Sequence, residues 1–424
     1  MVHNALPRRR FLAGLGGLGA AAILGGCATT SSGSSSGSSG LVLQSSLSDA
    51  APKAALTKVV EGYSKSKVTL NTIAIETFRA QLPTYLNSSN PPDVLTWYAG
   101  SVARDYASKG FLLDLSDLWT GSGACAGFSS ALKELSTANG KQIFVPTSYY
   151  WWGLFYRKSA FQEWGVQPAT TWDEFIALCK TLKGKGVAPL TMGTGATPWV
   201  ASGWFDYLDL RINGAEFHRD LLAGKHPFDG PEVKQVMDHY KQLLEFFDPS
   251  GRSYSWQDAV TPLANKKAGM YLIGAFVTSA VAKDVADDID FFRVPVIDSA
   301  VPLAEEAPTD GYFASAKSKN TQGAKDLLSY LAAPDAQQQF ISLSKSSNLP
   351  TSPKVDTSSF SPLVQKGIKM LNDSAAITQF FNRDSSDELQ TTADTALTKF
   401  LDSPGDVNTI LASWQAAAKK VHSS

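Results

Sequence analysis

The chain has 424 residues, of which 43% are hydrophobic and 18% are charged, so it is predicted to fold as a globular protein. Its 38 basic and 39 acidic side chains give a formal net charge of -1. Without a basic excess to neutralise phosphates, a nucleic-acid partner is disfavoured. A chain of this length exceeds what one hydrophobic core usually supports, and two lobes or domains are therefore expected.

The first 27 residues have the pattern of an export signal. Arg8–Leu12 matches the twin-arginine pattern, and the apolar stretch Phe11–Leu24 is short for a membrane span. The sequence Leu-Gly-Gly-Cys that ends at Cys27 resembles a bacterial lipobox, which predicts a lipidated cysteine and an anchor in the lipid bilayer. A plain signal peptide with an accidental cysteine is the alternative. Residues 28–40 are rich in Ser and Gly and are predicted to be a flexible tether.

The folded body is predicted to begin with alternating strands and helices. Leu41–Leu43, Val68–Ile75 and Pro92–Trp97 are β-rich runs, and apolar residues at helical spacing separate them. This order indicates parallel βαβ units in an α/β fold. Ligands of such sheets bind beyond the carboxyl ends of the strands, where Glu76 and Trp97 are expected.

A proline then interrupts the chain between two further β-rich runs. Gln142–Val145 is predicted to be a strand that Pro146 ends, and Leu154–Tyr156 begins the next strand. This break predicts a crossing between two lobes. Four aromatic residues occupy it, namely Tyr149, Tyr150, Trp151 and Trp152. Adjacent residues of an extended segment point to opposite sides, so we do not expect all four rings to be core.

The second half continues the alternation. Thr171–Glu174 has the spacing of a capping box, and Asp229–Glu232 is predicted to start another helix. Ala268–Gly274 is predicted to be a strand with Phe276 just past its end. Asp310–Phe313 is interpreted as a return crossing, and Pro350 marks a third connection before a helical C-terminal part.

Four stretches carry a resemblance to a known family: Pro92–Leu115, Gly140–Leu190, Trp256–Phe276 and Asp310–Pro350. Together with the lipobox they resemble the extracytoplasmic solute-binding proteins of ABC importers, the family that includes maltodextrin- and oligosaccharide-binding proteins. The resemblance implies two α/β lobes, three crossings, a sugar in the cleft between the lobes, and docking onto ABC permease subunits. The implied division is a first lobe of residues 41–146 and 310–345 and a second lobe of residues 147–309 and 346–424.

The resemblance also implies binding positions. The family's early aromatic position falls on Trp97, and its second-lobe ring position falls on Phe276, where many members have tryptophan. The cluster Trp199–Tyr207 and the late segment with Phe381 and Arg383 lie where family members contact ligand. Sugar chemistry agrees, because rings cover the apolar faces of a sugar and polar side chains hold its hydroxyls. The predicted set is Glu76, Trp97, Tyr149, Tyr150, Trp151, Trp199, Trp204, Asp206, Phe276, Asp310, Tyr312, Phe381 and Arg383.

Other interpretations stay open at this level. Glu76 and Asp206 could be the two carboxyl groups of an exported glycosidase. The same fold could bind a polyamine or a phosphate ester. Zinc chemistry has little support, because the histidines are scattered and no H-E-x-x-H motif occurs. We predict a monomer without cofactor or metal. Cys125 and Cys179 could form a disulfide in an exported protein or lie apart in the core.

Overall fold

The computed structural model describes residues 40–344 and 347–423, except the side chain of Glu76. The predicted signal with Cys27 and nearly all of the tether lie outside these residues. The strands are β1 (Leu41–Ser45), β2 (Val68–Thr72), β3 (Val94–Tyr98), β4 (Thr137–Ala138), β5 (Lys141–Gln142), β6 (Val145–Tyr149), β7 (Trp152–Arg157), β8 (Ala188–Thr191), β9 (Ala268–Gly274), β10 (Ile289–Phe292), β11 (Ala304–Glu306), β12 (Thr309–Ala314), β13 (Leu349–Pro350) and β14 (Ala376–Thr378).

The helices are α1 (Ala50–Glu61), α2 (Ile75–Asn87), α3 (Ser101–Ser108), α4 (Ser130–Leu135), α5 (Lys158–Trp164), α6 (Trp172–Gly184), α7 (Val200–Ile212), α8 (Gly214–Leu222), α9 (Pro231–Leu243), α10 (Val260–Ala264), α11 (Lys283–Asp288), α12 (Thr321–Ala332), α13 (Pro334–Ser344), α14 (Pro362–Asn372), α15 (Asp387–Asp402) and α16 (Val407–Ser423).

A six-stranded sheet organises what we call the first lobe. Its strand order is β13-β6-β12-β3-β1-β2. Strands β2 and β3 both pair with β1 in parallel, which confirms the predicted βαβ units. Strand β12 is antiparallel to β3 and β6. Parallel strands end at the same edge of a sheet, so the segments that follow β1 and β3 lie next to each other at that edge. Strand β12 is antiparallel to β3 and therefore begins at the same edge.

A four-stranded sheet of order β10-β7-β9-β8 organises the second lobe. Leu154 and Phe155 in β7 and Leu272 in β9 are fully buried in its core. Helix α6 begins with the predicted capping box, in which Thr171 and Glu174 bond each other's backbone. Helix α9 has Pro231 in its first turn, as the sequence indicated.

The first crossing differs from its prediction. Pro146 does not end a strand; it lies inside β6, opposite Gly311, where the pairing of β6 with β12 shifts register. Proline lacks the N–H that a regular ladder needs, and a bulge accommodates it. A Cβ on Gly311 would lie 2.1 Å from the carbonyl oxygen of Val145, so this close approach requires glycine. The crossing itself is therefore Tyr150–Trp151, between β6 and β7.

The second crossing also differs from its prediction. Asp310 and its neighbours lie within β12, so the chain crosses at Ala307–Pro308, between β11 and β12. A third connection follows β13 and leads to α14, where Lys366 pairs with Asp290 of the second sheet. The predicted end of the first lobe's opening segment, residue 146, lies three residues before the end of β6 at Tyr149.

The two cysteines in the described part of the chain are free and buried. Burial raises the pKa of the Cys125 thiol to about 12 and also raises that of Cys179. Both thiols are therefore protonated at neutral pH and belong to the core.

Candidate functional site

An ion pair joins the two lobes where the first-lobe strands end. Arg383, in the loop after β14, donates a hydrogen bond from Nη1 to Oδ1 of Asp310 over 2.7 Å. Asp310 lies opposite Tyr98 in the pairing of β12 with β3. The guanidinium carbon of Arg383 lies 4.3 Å from the ring centroid of Tyr98, which is the geometry of a cation–π contact. The Asp310 and Arg383 side chains keep 28% and 24% of their surface exposed, so both charges remain accessible from solvent.

The electrostatics of this pair favour the charged form of Arg383, whereas the net shift in the pKa of Asp310 is upward. Burial raises the pKa of Asp310, and the nearby Arg383 opposes that rise. Burial lowers the pKa of Arg383, but Asp310 outweighs that effect, and the net shift is upward. The site therefore offers guanidinium N–H donors and carboxyl oxygen acceptors side by side.

Tyr150 connects the ion pair to a group of aromatic rings. Its ring lies 5.5 Å from the Arg383 guanidinium carbon and 5.6 Å from the ring of Phe276, edge to face. Phe276 in turn meets Trp256 at 5.0 Å and Trp199 at 6.5 Å. Burial raises the pKa of the Tyr150 phenol, so its hydroxyl stays neutral.

This ring group contains a buried pair of rings and several rings that are partly exposed. Trp152 and Phe380 stack with centroids 4.9 Å apart and planes inclined by 17°. Trp199 meets both of them edge to face, at 6.1 Å and 5.9 Å. Trp152 and Phe380 are buried, whereas Trp199, Trp256 and Phe276 keep accessible surface. The partly exposed rings can therefore accept an apolar ligand face, and the buried pair holds them in place.

A small cavity of about 110 Å³ lies beside the ion pair in the first lobe. Its wall is largely apolar, with Leu47, Pro52 and Phe340 beside the ring of Tyr98, but it also carries the carboxylate of Asp310 and several hydroxyl and amide side chains: Ser46, Thr96, Thr147, Ser148, Tyr312 and Asn348. The hydroxyls of Ser46 and Thr96 lie 3.0 Å apart. The hydroxyl and amide groups of this wall can exchange hydrogen bonds with a polyol.

Trp97 lines this small cavity and also a larger one of about 630 Å³ that α2, α3 and the loop before α15 enclose. Only 5% of Trp97 is exposed, and its ring stacks on Phe78 of α2 at 5.8 Å. Its indole Nε1 is buried and has no hydrogen-bond partner among the described residues. Trp97 therefore packs in the core through its ring and has an indole N–H that is free to donate a hydrogen bond.

Three predicted ligand contacts have packing roles instead. Trp151 is fully buried against Phe291 at 5.4 Å, because it points to the opposite side of the crossing from Tyr150. Trp204 is fully buried and stacks on Phe175 at 6.2 Å. Phe381 is fully buried among a set of second-lobe rings, Phe205, Phe228 and Trp414.

Asp206 also differs from its predicted role as a polar ligand contact. Every residue of α7 is buried, so its polar side chains turn inward rather than into a cleft. Oδ2 of Asp206 accepts a hydrogen bond from the backbone N–H of Phe381 over 2.9 Å. Asp206 thereby positions the loop that carries Arg383. The same burial removes Asp206 from the open carboxyl pair that a glycosidase needs.

The remaining predicted residues are placed as follows. Tyr149 ends β6 and is partly exposed, and burial raises the pKa of its phenol to about 12. Tyr312 is buried with its edge on the small cavity. Glu76 lies in the first turn of α2, and its side chain lies outside the described part of the structure.

The predicted set omits three residues that lie in or beside this ring group: Tyr98, Trp256 and Phe380. Each adjoins a residue or stretch that had been singled out. Strand alternation assigns Tyr98 to the opposite face of β3 from Trp97, yet both residues line the small cavity, because they lie at the end of the strand. Nothing in the sequence distinguishes Phe380 from Phe381, since the loop is irregular and only one of the two rings faces Trp152.

The described residues contain no group of three or more His, Cys, Asp or Glu side chains arranged to hold a metal ion. In the same residues, no helix combines the length and apolar character that crossing a membrane requires.

Comparison with known proteins places the chain in a family. Residues 47–338 match the family model of the bacterial extracellular solute-binding proteins, and the chain belongs to that family. The match covers strands of both sheets and the first two crossings. The fold class expected from the sequence, two α/β lobes with three crossings and a cleft between them, is that of the similar solved structures and is confirmed.

Relatives of this chain bind different solutes. The bacterial solute receptor AcbH, described as having an exclusive preference for β-D-galactopyranose, has a crystal structure with a TM-score of 0.85 and 29% identity; the match covers 90% of this chain and 99% of that one. The α-glucosides-binding periplasmic protein AglE of Rhizobium meliloti is 26% identical, over 70% of this chain and 69% of its own. An uncharacterized ABC transporter extracellular-binding protein of Pyrococcus horikoshii is 22% identical, over 69% of this chain. The matches span 66%, 64% and 59% of three curated relatives.

Proposed function

We propose that this protein is the extracytoplasmic substrate-binding component of an ABC importer, anchored by lipid on Cys27, which captures a sugar between its lobes and delivers it to the permease. The observation that carries the proposal is the contact of Arg383 with Asp310 and Tyr98. It brings a second-lobe cation onto the first lobe, at one end of a row of partly exposed rings.

The chemistry of this surface suits a pyranose. Hydroxyl groups on the rim of the sugar match the guanidinium donors of Arg383 and the carboxylate of Asp310. The apolar faces of the sugar match the exposed rings of Trp199 and Phe276, and each stacked ring contributes on the order of 1 kcal/mol beyond its buried area. A ligand that touches both lobes stabilises the closed arrangement, because only that arrangement provides both sets of contacts.

The rival ligands fit less well. A polyamine needs several carboxylates, and the carboxylate of Asp310 is already paired with Arg383. A phosphate ester needs a cation that is free to bind it, and Arg383 is held by Asp310 and by the ring of Tyr98. AcbH and AglE, which are named for a galactopyranose and for α-glucosides, make hexopyranoses the first compounds to test.

A thermal-shift screen followed by calorimetric titration tests the proposal. The panel contains galactose, glucose, α- and β-linked disaccharides, spermidine and glucose phosphate. A sugar at about 100 times its Kd should stabilise the native state by about 2.7 kcal/mol and raise Tm. A response to spermidine or to the phosphate ester alone would overturn the sugar assignment. Product analysis of the disaccharide samples addresses the enzyme alternative, since a binding protein returns them unchanged.

A further inference from the structure

A group of ionisable side chains is fully buried in the second lobe, directly behind the loop that carries Arg383. Its acidic members are Asp206 and Asp209 of α7 and Glu305 and Glu306 of β11, and His218 of α8 lies among them. Charged groups in such a place are stable only when partners compensate them. The pairing of each carboxyl group therefore decides which of them carries a charge.

Two of the carboxylates have cationic partners. Glu305 pairs with Arg211 at 2.7 Å and with Arg293 at 2.8 Å. Asp209 bonds Nδ1 of His218 over 2.8 Å. Burial lowers the pKa of His218, but Asp209 and Asp206 outweigh that effect, and the net shift is upward. His218 therefore tends to carry a positive charge beside Asp209.

The other two carboxyl groups, those of Asp206 and Glu306, are neighbours of each other. Helix α7, which carries Asp206, packs against β11, which carries Glu306. A side-chain hydrogen bond between the two carboxyl groups contributes to the pKa of each. Among the described residues, no donor bonds either carboxyl oxygen of Glu306 or Oδ1 of Asp206, and Nε2 of His218 is 3.9 Å from that Oδ1. Two ionised carboxylates in contact without donors would repel each other in a medium that screens poorly. One proton between them removes the repulsion and supplies the missing donor.

This pair connects the two segments that meet at the proposed sugar site. The other oxygen of Asp206 holds the backbone N–H of Phe381, so it fixes the loop with Phe380 and Arg383. Glu306 is the last residue of β11 and directly precedes the crossing that leads to Asp310. The loop with Arg383 therefore meets the second crossing at two places. One is the partly exposed ion pair of Arg383 with Asp310, and the other is the buried pair of Asp206 and Glu306.

We propose that Asp206 and Glu306 bind one proton between them, that this proton fastens the Arg383 loop to the second crossing, and that its loss weakens ligand binding. Both residues are positioning residues, because neither reaches the cleft. The part of the proposal that concerns the ligand rests on the proposed function. The bound proton itself does not, because it follows from the buried carboxyl pair alone.

The surrounding charges agree with one bound proton. The groups that face the pair are Asp209, Tyr207 and Arg211 of α7, His218 of α8, Glu305 of β11, Tyr150 of the first crossing, Arg293, and Asp384, which has its own partner in Arg104. Both phenols stay neutral because burial raises their pKa. With Glu306 protonated, the carboxylates of Asp206, Asp209 and Glu305 face three cations: Arg211, Arg293 and His218.

The sign of the pH effect follows from this arrangement. Burial raises the pKa of Glu306 well above its usual range, and Asp206 raises it further. The folded protein then holds a proton that the unfolded chain releases at an ordinary carboxyl pKa. Stability therefore falls as pH rises from that ordinary value to the raised one. His218, whose pKa is also raised, contributes in the same direction, so the test must isolate Glu306.

Glu306→Gln isolates it. The amide has the same shape and can donate to Asp206, but it cannot ionise. Glu245→Gln is the matched control, because Glu245 is exposed and pairs with Lys183. Infrared difference spectra between wild type and Glu306→Gln at about pH 8, where ordinary carboxyl groups are ionised, should show the carbonyl band of a protonated carboxylic acid that the variant lacks. The control variant should keep that band. Its absence from the wild type overturns the bound proton.

The effect on the ligand is measured by titrating the best-binding sugar of the panel between about pH 6 and pH 9, a range chosen to lie above ordinary carboxyl titration. The wild type and Glu245→Gln should lose about tenfold in affinity toward the alkaline end, which corresponds to about one pKa unit of differential proton binding. Glu306→Gln should give a flatter profile. Equal slopes in all three proteins would overturn the link to the ligand. If no sugar binds, the proposed function fails, while the infrared spectra and the dependence of Tm on pH still decide whether the proton is bound.

Discussion

Asp384 caps a helix of the opposite lobe. Its Oδ1 accepts a hydrogen bond from the backbone N–H of Ser101 over 2.6 Å and lies 3.1 Å from the guanidinium of Arg104. Ser101 is the first residue of α3 in the first lobe, whereas Asp384 follows β14 in the second. A carboxylate at a helix N-terminus satisfies a free N–H and interacts favourably with the helix dipole.

Gln379 makes a second contact of this kind. It donates from Nε2 to the carbonyl oxygen of Ala99 over 2.8 Å, and its Oε1 accepts the N–H of Thr309 over 3.1 Å. Together with Arg383 and Asp384, it attaches one loop of the second lobe to the first lobe at three points. The loop therefore holds the lobes together independently of any ligand contact.

Removing the cap should favour an open arrangement. Asp384→Ala deletes the acceptor for Ser101, a contact that contributes roughly 1 kcal/mol in helix caps. We expect a larger radius of gyration without ligand and about fivefold weaker sugar binding. Small-angle scattering and calorimetry measure these two quantities.

The control for this prediction is Asp298→Ala. Asp298 accepts a hydrogen bond from the backbone N–H of Ala300 in an exposed turn. Asp298→Ala therefore removes the same kind of bond without affecting the contact between the lobes. If Asp384→Ala has the radius and the affinity of this control, the cap does not hold the lobes together.

Trp199 and Trp204 should respond differently to the same substitution. Trp199 is partly exposed among the cleft rings, and Trp199→Ala should weaken sugar binding by about tenfold with a small change in Tm. Trp204 is fully buried against Phe175, and Trp204→Ala should cost about 3–5 kcal/mol of stability. Paired melting curves and titrations distinguish them. Normal affinity in Trp199→Ala would remove it from the proposed site.

The local elements of the fold were predictable because their signals are local. The capping box at Thr171 and the proline at the start of α9 act within one helical turn, and both predicted helices form. The interpretation of Pro146 as a strand end failed for the opposite reason. Whether a strand tolerates proline depends on its neighbour, and the register shift in β12 lies more than 160 residues further along the chain.

The site was only partly predictable for a similar reason. Alternation shows that Tyr150 and Trp151 point to opposite sides, but it does not show which side faces the cleft. The sequence of α7 does not reveal that both sides of the helix are covered, so Trp204 and Asp206 looked available. The family resemblance indicates Arg383, and the sequence suggests its partner Asp310 independently, as a polar contact. Their pairing depends on the tertiary fold.

The predicted anchor at Cys27 can be tested independently of the cleft. Cys27→Ala removes the thiol that would carry acyl chains, and without those chains the hydrophobic contribution to membrane binding is lost. We expect the variant in the soluble fraction and the wild type in the membrane fraction, with metabolic lipid label on the wild type only. Unchanged membrane retention together with an unlabelled wild type would contradict the lipoprotein assignment.

Arg383 provides the sharpest test of the sugar site. Arg383→Ala removes the hydrogen-bond donors and leaves Asp310 without its cation, so the affinity for sugar should fall at least tenfold, given the value of charge-assisted bonds. Arg383→Lys keeps the charge but loses the planar group that covers Tyr98, and its affinity should lie between those of Arg383→Ala and the wild type. Both are measured by calorimetry.

Arg252→Ala is the matched control for these variants. Arg252 also bonds a carboxylate, that of Asp402, but both residues lie within the second lobe. The control should bind sugar as the wild type does. All three variants should melt close to the wild type without ligand, because the arginines are partly exposed and surface ion pairs contribute little to stability. If Arg383→Ala loses much of its thermal stability and the protein that remains folded binds normally, Arg383 has a structural role and the cleft contact must be sought among the rings alone.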